Sequence, residues 1–183
     1  MKIRLASELQ IDSIVDGKGI RAVLWTQGCS HKCVGCHNQS TWDFDGGKEV
    51  EVEKIKKEIS SLKAHDGITL SGGDPLFQVE PCLEIAKYCK SLKMNVWCYT
   101  GFTLEELLKM NNPHLKELLL NIDVLVDGKF ILKERSLDLL FKGSRNQRVI
   151  DLSRSLKEGR IILLDEDFKV QTFEQMKKTN IYI

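Results

Sequence analysis

Three cysteines within eight residues form the part of the chain best suited to chemistry. Cys29, Cys33 and Cys36 follow the spacing C-x3-C-x2-C. Thiolates are preferred ligands of zinc and of iron–sulfur clusters, so three of them in one short loop predict a metal centre. In a compartment that keeps thiols reduced, such a group is more typical of a metal or catalytic site than of a disulfide framework.

Two kinds of centre are compatible with three thiolates. A closed structural zinc site needs four ligands, and here His31 or His37 would have to supply the fourth. A four-iron cluster held by three cysteines instead leaves one iron without a protein ligand, and that iron can bind a substrate or cofactor directly. A thiol redox sensor is a further alternative, which requires only the pair Cys33 and Cys36.

A glycine-rich segment supplies a second candidate motif. Residues 71–75 read Ser-Gly-Gly-Asp-Pro and follow a short apolar stretch. Glycines allow the backbone to approach a ligand closely, although the same residues alone are typical of a plain turn. The cysteines are therefore what give Gly72, Gly73 and Asp74 a functional interpretation.

Strands and helices alternate along most of the chain, which indicates βαβ units and a parallel sheet. Short apolar runs predict strands at 19–26, 67–71, 94–99, 122–126 and 159–164. Helical periodicity and capping signals predict helices at 51–64, 79–92, 103–110 and 115–120, with a further helix starting at Asp151.

These elements predict an α/β fold, a partial, open parallel β/α barrel of about five to six strands. The strands are too few for a full eight-stranded barrel. Three loops follow predicted strands and carry chemically suggestive residues, namely Cys29–Cys36, Ser71–Pro75 and Asp127–Lys129. Because such folds bind ligands at the carboxyl ends of their strands, we expect the three loops to share one rim.

The composition is that of an ordinary globular protein. The chain has 183 residues, 42% of them hydrophobic and 29% charged, which argues against a disordered chain. With 27 Lys and Arg against 26 Asp and Glu, the net charge of +1 gives no electrostatic reason to bind nucleic acid or an anionic membrane. Since neither a membrane-spanning run nor a secretory signal is expected, we predict a cytoplasmic protein with a single domain over residues 1–183.

Taken in order, these motifs resemble a known superfamily. The cysteine spacing after the first predicted strand, followed by residues 71–75 after the second, is similar to the radical S-adenosylmethionine (SAM) superfamily. Residues 26–38, Ser40–Phe44 and Phe141–Asp151 narrow the resemblance to the activating proteins of anaerobic (class III) ribonucleotide reductases. The resemblance covers residues 10–164 and implies a single radical SAM domain.

By this resemblance, Cys29, Cys33 and Cys36 hold a 4Fe–4S cluster whose open iron binds SAM. A reduced flavodoxin-type donor supplies one electron, SAM is cleaved reductively, and the resulting 5′-deoxyadenosyl radical removes a hydrogen atom from a glycine of the partner. That partner is the large subunit of an anaerobic ribonucleotide reductase, which keeps a stable glycyl radical. The resemblance assigns these residues to SAM binding: Gly35, Cys36, His37, Gly72, Gly73, Asp74, Asp127 and Lys129.

Other residues are interpreted from their neighbours. Thr100 lies on the same predicted rim, where it would touch SAM or begin the next turn. Residues 145–148, Arg-Asn-Gln-Arg, suit recognition of carboxylates, phosphates or backbone, so we expect them to contact the partner protein or SAM. Buried core positions are expected for Cys82, Cys89, Cys98, Trp25 and Trp97. The sequence indicates no role for residues 165–183.

Three other functions are compatible with part of the pattern. An activase of another glycyl radical enzyme, such as pyruvate formate-lyase, shares the first two motifs. A SAM enzyme that acts on a small molecule, such as a deazaguanine synthase, needs no partner protein, and residues 143–148 argue against it. A structural zinc module would be colourless and would not need Gly72 and Gly73.

Overall fold

Eight strands form one mixed sheet in the computed structural model, which describes residues 1–164. The strands are β1 (Lys2–Leu5), β2 (Gln10–Ser13), β3 (Arg21–Thr26), β4 (Lys48–Glu51), β5 (Gly67–Gly72), β6 (Asn95–Tyr99), β7 (Val124–Asp127) and β8 (Arg148–Asp151). Their order is β4-β1-β3-β5-β6-β7-β8, and β2 pairs with β3 off this path. Residues 165–183, for which the sequence indicates no role, lie outside the described residues.

The four central strands are parallel, because a helix lies in each connection between them. β3 runs parallel to β5, β5 to β6 and β6 to β7. The register pairs Thr26 with Gly72, so the carboxyl ends of β3 and β5 are level. The outer strands are antiparallel, with β1 on β3, β4 on β1 and β8 on β7.

Five α-helices and three short 3₁₀ helices lie in the described part of the chain, and the ends of the α-helices follow local chemistry. The α-helices are α1 (Val52–Ser60), α2 (Val79–Ser91), α3 (Leu104–Lys109), α4 (Pro113–Leu120) and α5 (Leu152–Glu158). Thr103 and Glu106 form a capping box at the start of α3, and a proline occupies the first position of α4. Gly159 ends α5 in the left-handed region, with a φ of 66°.

The two faces of the central strands differ in polarity, because side chains alternate along a strand. One face packs against the helices and contributes apolar side chains to the main core, among them Leu24, Ile68, Leu70, Val96 and Leu125. The other face carries polar and aromatic side chains, among them Arg21, Thr69, Ser71, Trp97 and Tyr99. The second face is therefore the one equipped for chemistry.

The alternation of strands and helices confirms much of the sequence-based expectation. The four parallel strands, and the helices at α1 to α5, lie where the patterns predict them. The buried positions expected for four residues are also confirmed, since each is at most 2% exposed: Trp97, Cys82, Cys89 and Cys98. Burial raises the pKa of each of these three thiols, as suits inert core residues.

The strand predicted at 159–164 is wrong. Gly159 ends α5, and beyond it only Leu163 forms an isolated bridge, to Ile150. A strand forms instead at β8, and the sequence patterns also miss β1, β2 and β4. The described chain therefore has eight strands, where five to six were expected.

Residues 1–164 also contain no helix with the length and apolar character needed to cross a bilayer.

Candidate functional site

A cavity of about 240 Å³ opens at the carboxyl ends of β3, β5 and β6. We call residues 28–38 the cysteine loop and residues 71–75 the glycine turn. Both segments contribute to the walls of this cavity, through Cys29, Cys33, Cys36, Gly72 and Gly73. They meet because the parallel register of β3 and β5 places the ends of the two strands side by side.

Hydrogen bonds fix the backbone of the cysteine loop. The Cys36 N–H donates to the Cys33 carbonyl at 3.0 Å, and the Asn38 N–H donates to the Cys36 Sγ at 3.4 Å. Gly35 has a φ of 77°, and a Cβ there would lie 2.9 Å from Leu132 Cδ1. Gly35 is not among the residues that line the cavity, and its predicted contact with SAM stays a prediction. Its positive φ suits glycine and shapes the loop.

The three thiols differ in exposure. Cys29 is buried, whereas Cys33 and Cys36 are half-buried. Burial raises the pKa of the Cys29 thiol, while a hydrogen bond from the backbone of His31 acts in the opposite direction. Metals bind the thiolate, so burial works against the form of Cys29 that would bind a metal.

Backbone contacts hold the glycine turn against the cysteine loop. The Asp74 N–H donates to the Gly28 carbonyl at 3.0 Å. A Cβ at Gly73 would lie 2.4 Å from the Gly28 carbonyl oxygen, so only glycine permits this approach. The Asn38 side chain adds a longer bond, 3.4 Å, from its Nδ2 to the Gly72 carbonyl.

The Asp74 side chain is 1% exposed and does not line the cavity. Its Oδ2 accepts hydrogen bonds from the Thr100 hydroxyl and the Gly101 N–H, and it lies 2.9 Å from the His31 Nε2. Its Oδ1 accepts from the Leu76 N–H at 2.9 Å. The Asp74 carboxylate therefore joins three loops to one another, and its predicted contact with SAM stays a prediction.

The two histidines of the cysteine loop have different surroundings. The His31 side chain is 7% exposed and meets Phe102 edge-on, with ring centroids 4.5 Å apart. His37 is exposed, and its ring lies 5.7 Å from that of Phe130. Both histidines line the cavity. His37 is thus placed to contact a ligand, whereas the Nε2 of His31 is already engaged by Asp74.

Asp127 and Lys129 are not among the residues that line the cavity, and their predicted contact with SAM stays a prediction. Asp127 is 1% exposed, and its carboxylate accepts hydrogen bonds from the Arg148 guanidinium and from the Leu104 N–H. Arg148 also binds Glu105, which lowers the pKa of that carboxyl to about 2. Asp127 is therefore committed to a charge network between β7, β8 and α3, and Lys129 is exposed next to it.

The side chains of residues 146–148 form hydrogen bonds with other parts of this chain, whereas the sequence predicts that residues 145–148 contact the partner protein or SAM. Gln147 alone among them lines the cavity, and its Nε2 donates to the Gly128 carbonyl at 3.0 Å. The Asn146 Nδ2 donates to the Lys129 carbonyl at 2.8 Å. Arg145 is the exposed member of the segment, so it is the one that a partner protein can reach.

Sequence reasoning misses cavity residues on the inner face of the sheet. Trp25, Ser71 and Tyr99 line the cavity, and Asp16 adds a carboxylate from the loop before β3. The core position expected for Trp25 is wrong, since its ring lines the cavity and its Nε1 donates to the Gln10 side chain at 2.9 Å. The alternation of side chains along β3 is the signal that identifies Trp25 as an inner-face residue.

The donor set suits a cluster in which each thiolate binds its own iron. Within the described part of the chain, no three His, Cys, Asp or Glu side chains are close enough to share one metal ion. The ligands of an iron–sulfur cluster stand further apart than those of a single ion, because each binds a different iron. Three thiols around one cavity are therefore compatible with a 4Fe–4S cluster.

Comparison with known proteins gives a consistent result. A family described as a 4Fe-4S single cluster domain matches residues 15–150. The anaerobic ribonucleoside-triphosphate reductase-activating protein of Haemophilus influenzae is 37% identical over 142 residues, 73% of this chain and 89% of that protein. The protein of the same name from Escherichia coli K12 is 36% identical over 145 residues, 74% of this chain and 91% of the relative. The one from Enterobacteria phage T4 is 35% identical, with 74% and 86% covered.

The chain belongs to the anaerobic ribonucleoside-triphosphate reductase-activating proteins. The resemblance seen in the motifs is thereby confirmed. Because the matched domain is described as holding one 4Fe-4S cluster, membership in this reductase-activating family favours the cluster over a closed zinc site. Among solved structures, QueE from Escherichia coli aligns with 56% of this chain and 54% of its own, at 16% identity and a TM-score of 0.46.

Proposed function

We propose that this protein uses a 4Fe–4S cluster and SAM to generate a glycyl radical on the large subunit of an anaerobic ribonucleotide reductase. The observation that carries this proposal is that the cysteine loop and the glycine turn wall one cavity. The curated relatives, named as activators of that reductase, supply the partner. The substrate is then a glycine of another protein, which must enter the cavity from outside.

The cysteine loop provides the ligands. Cys29, Cys33 and Cys36 would hold the cluster, and an iron without a protein ligand would remain available to SAM. When bound and reduced, such a cluster would supply the electron for cleavage of SAM, and the fragment of SAM released would remove a hydrogen atom from glycine. Gly72 and Gly73 bind the methionyl part of SAM through their backbone, since no side chain separates that backbone from the cavity.

Side chains around the cavity orient SAM and exclude water. Trp25 and Tyr99 supply aromatic walls on the sheet side. The rings of His37 and Phe130, 5.7 Å apart, suit contact with the adenine. The exposed Lys129, next to the cavity, offers its ammonium group to the methionyl carboxylate.

The proposal extends to the setting of the reaction. A flavodoxin-type protein is the electron donor, and the location is the cytoplasm, where thiols stay reduced. The four parallel strands form a partial β/α barrel, and residues 1–183 form a single radical SAM domain. The level carboxyl ends of β3 and β5, with both motifs attached, support this arrangement.

Anaerobic reconstitution with iron and sulfide tests the cofactor assignment. The loaded protein should contain about four irons per chain, and the electron paramagnetic resonance (EPR) signal of its reduced form should change when SAM is added. Cys33→Ala should lose this signal, whereas Cys82→Ala, which removes a buried thiol outside the cavity, should keep it. A colourless protein that binds one zinc ion and does not respond to SAM would contradict the assignment.

Mixing the reduced, SAM-bound protein with candidate targets tests the choice of partner. We expect a glycyl radical signal on an anaerobic ribonucleotide reductase and none on pyruvate formate-lyase. A radical on pyruvate formate-lyase alone would contradict this choice and identify the protein as an activase of pyruvate formate-lyase.

A further inference from the structure

A buried histidine–aspartate pair joins the cysteine loop to the glycine turn. The His31 Nε2 lies 2.9 Å from the Asp74 Oδ2, and the two side chains are 7% and 1% exposed. Because a carboxylate oxygen only accepts hydrogen bonds, Nε2 is the donor. His31 lies two residues after Cys29 and two before Cys33, so fixing its side chain restrains the backbone between two of the three thiols.

The carboxylate is itself held rigidly. The Thr100 hydroxyl and the Gly101 N–H, which follow β6, both donate to its Oδ2 at 2.9 Å. The Leu76 N–H donates to its Oδ1 at the same distance. A carboxylate with four donors has little freedom to rotate, so Asp74 presents a fixed acceptor to His31.

Packing confines the His31 ring from the sides. Its centroid lies 4.5 Å from that of Phe102 and 5.6 Å from that of Phe77. A Cβ at Gly101 would lie 2.4 Å from the His31 Cδ2, so the ring reaches the carboxylate only because residue 101 is glycine. The packing therefore fixes the direction of the His31 ring as well as its distance from the carboxylate.

Stability alone gives a poor account of this pair. Removing a charged group and its partner from water costs free energy, and apolar replacements of similar volume are often no less stable. Phe77 and Phe102 already provide apolar surroundings that an apolar side chain would fill. What an apolar side chain would lack is a directional bond from the cysteine loop to a fixed point on the glycine turn.

We infer that His31 and Asp74 are positioning residues that set the orientation of the cysteine loop relative to the glycine turn, and thereby the geometry in which SAM meets the cluster. The inference rests on the proposed function, since it concerns the same cavity. Asp74 does not line the cavity, whereas His31 does, and each acts through the backbone to which it is attached.

Three variants and one control test the pair. His31→Phe keeps an aromatic ring in the same packing but removes the donor, and His31→Gln keeps a donor at similar reach. Asp74→Asn turns an amide group towards the same donors. His114→Phe is the control, because His114 and Glu80 form a comparable pair at 3.1 Å that is 52% and 62% exposed.

Two readouts are independent of turnover. The first is amide hydrogen exchange in residues 28–38 of the cluster-free protein, and the second is the SAM concentration that half-saturates the EPR change of the loaded protein. His31→Phe and Asp74→Asn should exchange faster in this loop and should need roughly tenfold more SAM. His31→Gln should recover most of the SAM affinity, and the double variant His31→Phe/Asp74→Asn should bind no more weakly than the weaker single variant.

The outcomes separate cleanly. If exchange and SAM affinity in His31→Phe match those in His114→Phe, the inference is overturned, because the hydrogen bond is then dispensable. If His31→Phe does not fold or load iron, His31→Gln and Asp74→Asn decide, and wild-type SAM affinity in Asp74→Asn refutes the inference. If the wild type binds SAM but forms no radical on the reductase, the proposed function fails. The exchange and binding data would still test whether the His31–Asp74 bond positions the cysteine loop.

Discussion

Gly73 and Asp74 are neighbours in the chain with opposite requirements. Gly73 needs the absence of a side chain, because the backbone of Gly28 and Thr41 occupies the space where a Cβ would lie. Asp74 needs its carboxylate, because buried donors from three loops end on it. Substitution at either position therefore acts on one junction, by collision in the first case and by lost hydrogen bonds in the second.

We expect Gly73→Ala to separate the glycine turn from the cysteine loop. The new Cβ would lie 2.4 Å from the Gly28 carbonyl oxygen and 2.9 Å from that of Thr41, and backbone atoms cannot rotate away. SAM affinity should fall by at least about tenfold. The free energy of unfolding should fall by about 1–3 kcal/mol because of the overpacking. An EPR titration with SAM and urea unfolding measure the two effects.

Gly159→Ala is the matched control for that variant. Gly159 also has a backbone that favours glycine, with a φ of 66°, but a Cβ there would have open space around it. This control should lose about 1 kcal/mol of stability from backbone strain and bind SAM normally. Equal SAM affinity in Gly73→Ala and Gly159→Ala would show that the contact with Gly28 is dispensable.

At this scale the sequence identifies the reactive groups but not their partners. Spacing is enough to find Cys29 and Gly73, because chelation and close approach constrain short segments. The partner of Asp127 has no local signal, because a carboxylate that follows a strand looks the same whether it faces a ligand or Arg148, 21 residues away. The bond from His31 to Asp74 spans 43 residues and has no local signal.

At the scale of elements, the Arg148 side chain connects the β8 edge of the sheet to neighbouring elements. It lies on β8 and binds Asp127 at the end of β7 and Glu105 in the first turn of α3. The same Asp127 accepts the Leu104 N–H at the start of that helix, where negative charge is favourable. The loop after β7 thus gains a fixed position next to the cavity without contributing Asp127 to it.

We expect Glu105→Gln to show that this network depends on pH. The Arg148 hydrogen bond lowers the pKa of Glu105 from 4.5 to about 2, so the ionised form stabilises the fold above pH 4.5 and this contribution is lost as the pH falls through about 2. Because the side chain is 51% exposed, the loss at pH 7 should be no more than about 1 kcal/mol. Urea unfolding of the cluster-free protein should show the gap to wild type closing between pH 5 and pH 2.

The control for this variant is Glu117→Gln, which breaks a surface pair with Lys87 outside the network. If the two variants lose stability with the same pH dependence, the effect belongs to surface charge in general and not to Arg148.

The capping box of α3 gives a second prediction at this scale. The Thr103 Oγ1 accepts the Glu106 N–H at 3.3 Å, and the Thr103 N–H donates to the Glu106 carboxylate at 2.7 Å. Thr103→Ala should lower the free energy of unfolding by about 1 kcal/mol. Ser153→Ala, an exposed position inside α5, should cause no loss because alanine favours helix. Chemical denaturation measures both, and equal stability of the two variants would rule out the cap as a source of stability.

The sequence predicts the helices better than the strands for a physical reason. Caps and apolar periodicity act within one segment, and both are present at α3. The outer strands β2 and β4 are short and mostly exposed, so they have no buried apolar run, and pairing with a neighbour is what makes them strands. The bridge at Leu163 likewise depends on a partner, Ile150, and on a helix that has just ended.

At the scale of the whole molecule, the two ends of the parallel strands have different tasks. The cavity lies at the carboxyl ends, while Arg21 lies at the amino ends and is 1% exposed. Its guanidinium donates to the carbonyls of Ile68 and Asn95 and to the Thr69 hydroxyl. Burial lowers the pKa of Arg21 to about 10, because removing this cation from water costs free energy. Its hydrogen bonds join three strands.

We expect Arg21→Met to destabilise the entire sheet. The carbonyls of Ile68 and Asn95 would lose a buried donor, which should cost about 2–4 kcal/mol in the free energy of unfolding. Arg4→Met is the control, because Arg4 also donates to backbone carbonyls but is 30% exposed, so water can replace it. Urea unfolding compares the two, and a loss in Arg21→Met no larger than in Arg4→Met would contradict a central role for this residue.

The contact between Gly28 and Gly73 also limits how members of this family can exchange parts. A cysteine loop taken from a relative fits only if its first carbonyl faces a turn residue without a Cβ, as that of Gly28 faces Gly73, and if its second position after the first cysteine can reach Asp74. The glycine turn of the recipient must in turn carry both the glycine and the aspartate that make these contacts. The two segments, remote in sequence, therefore act as one unit, and a chimera that combines a loop and a turn without these contacts should load iron yet fail to bring SAM to it.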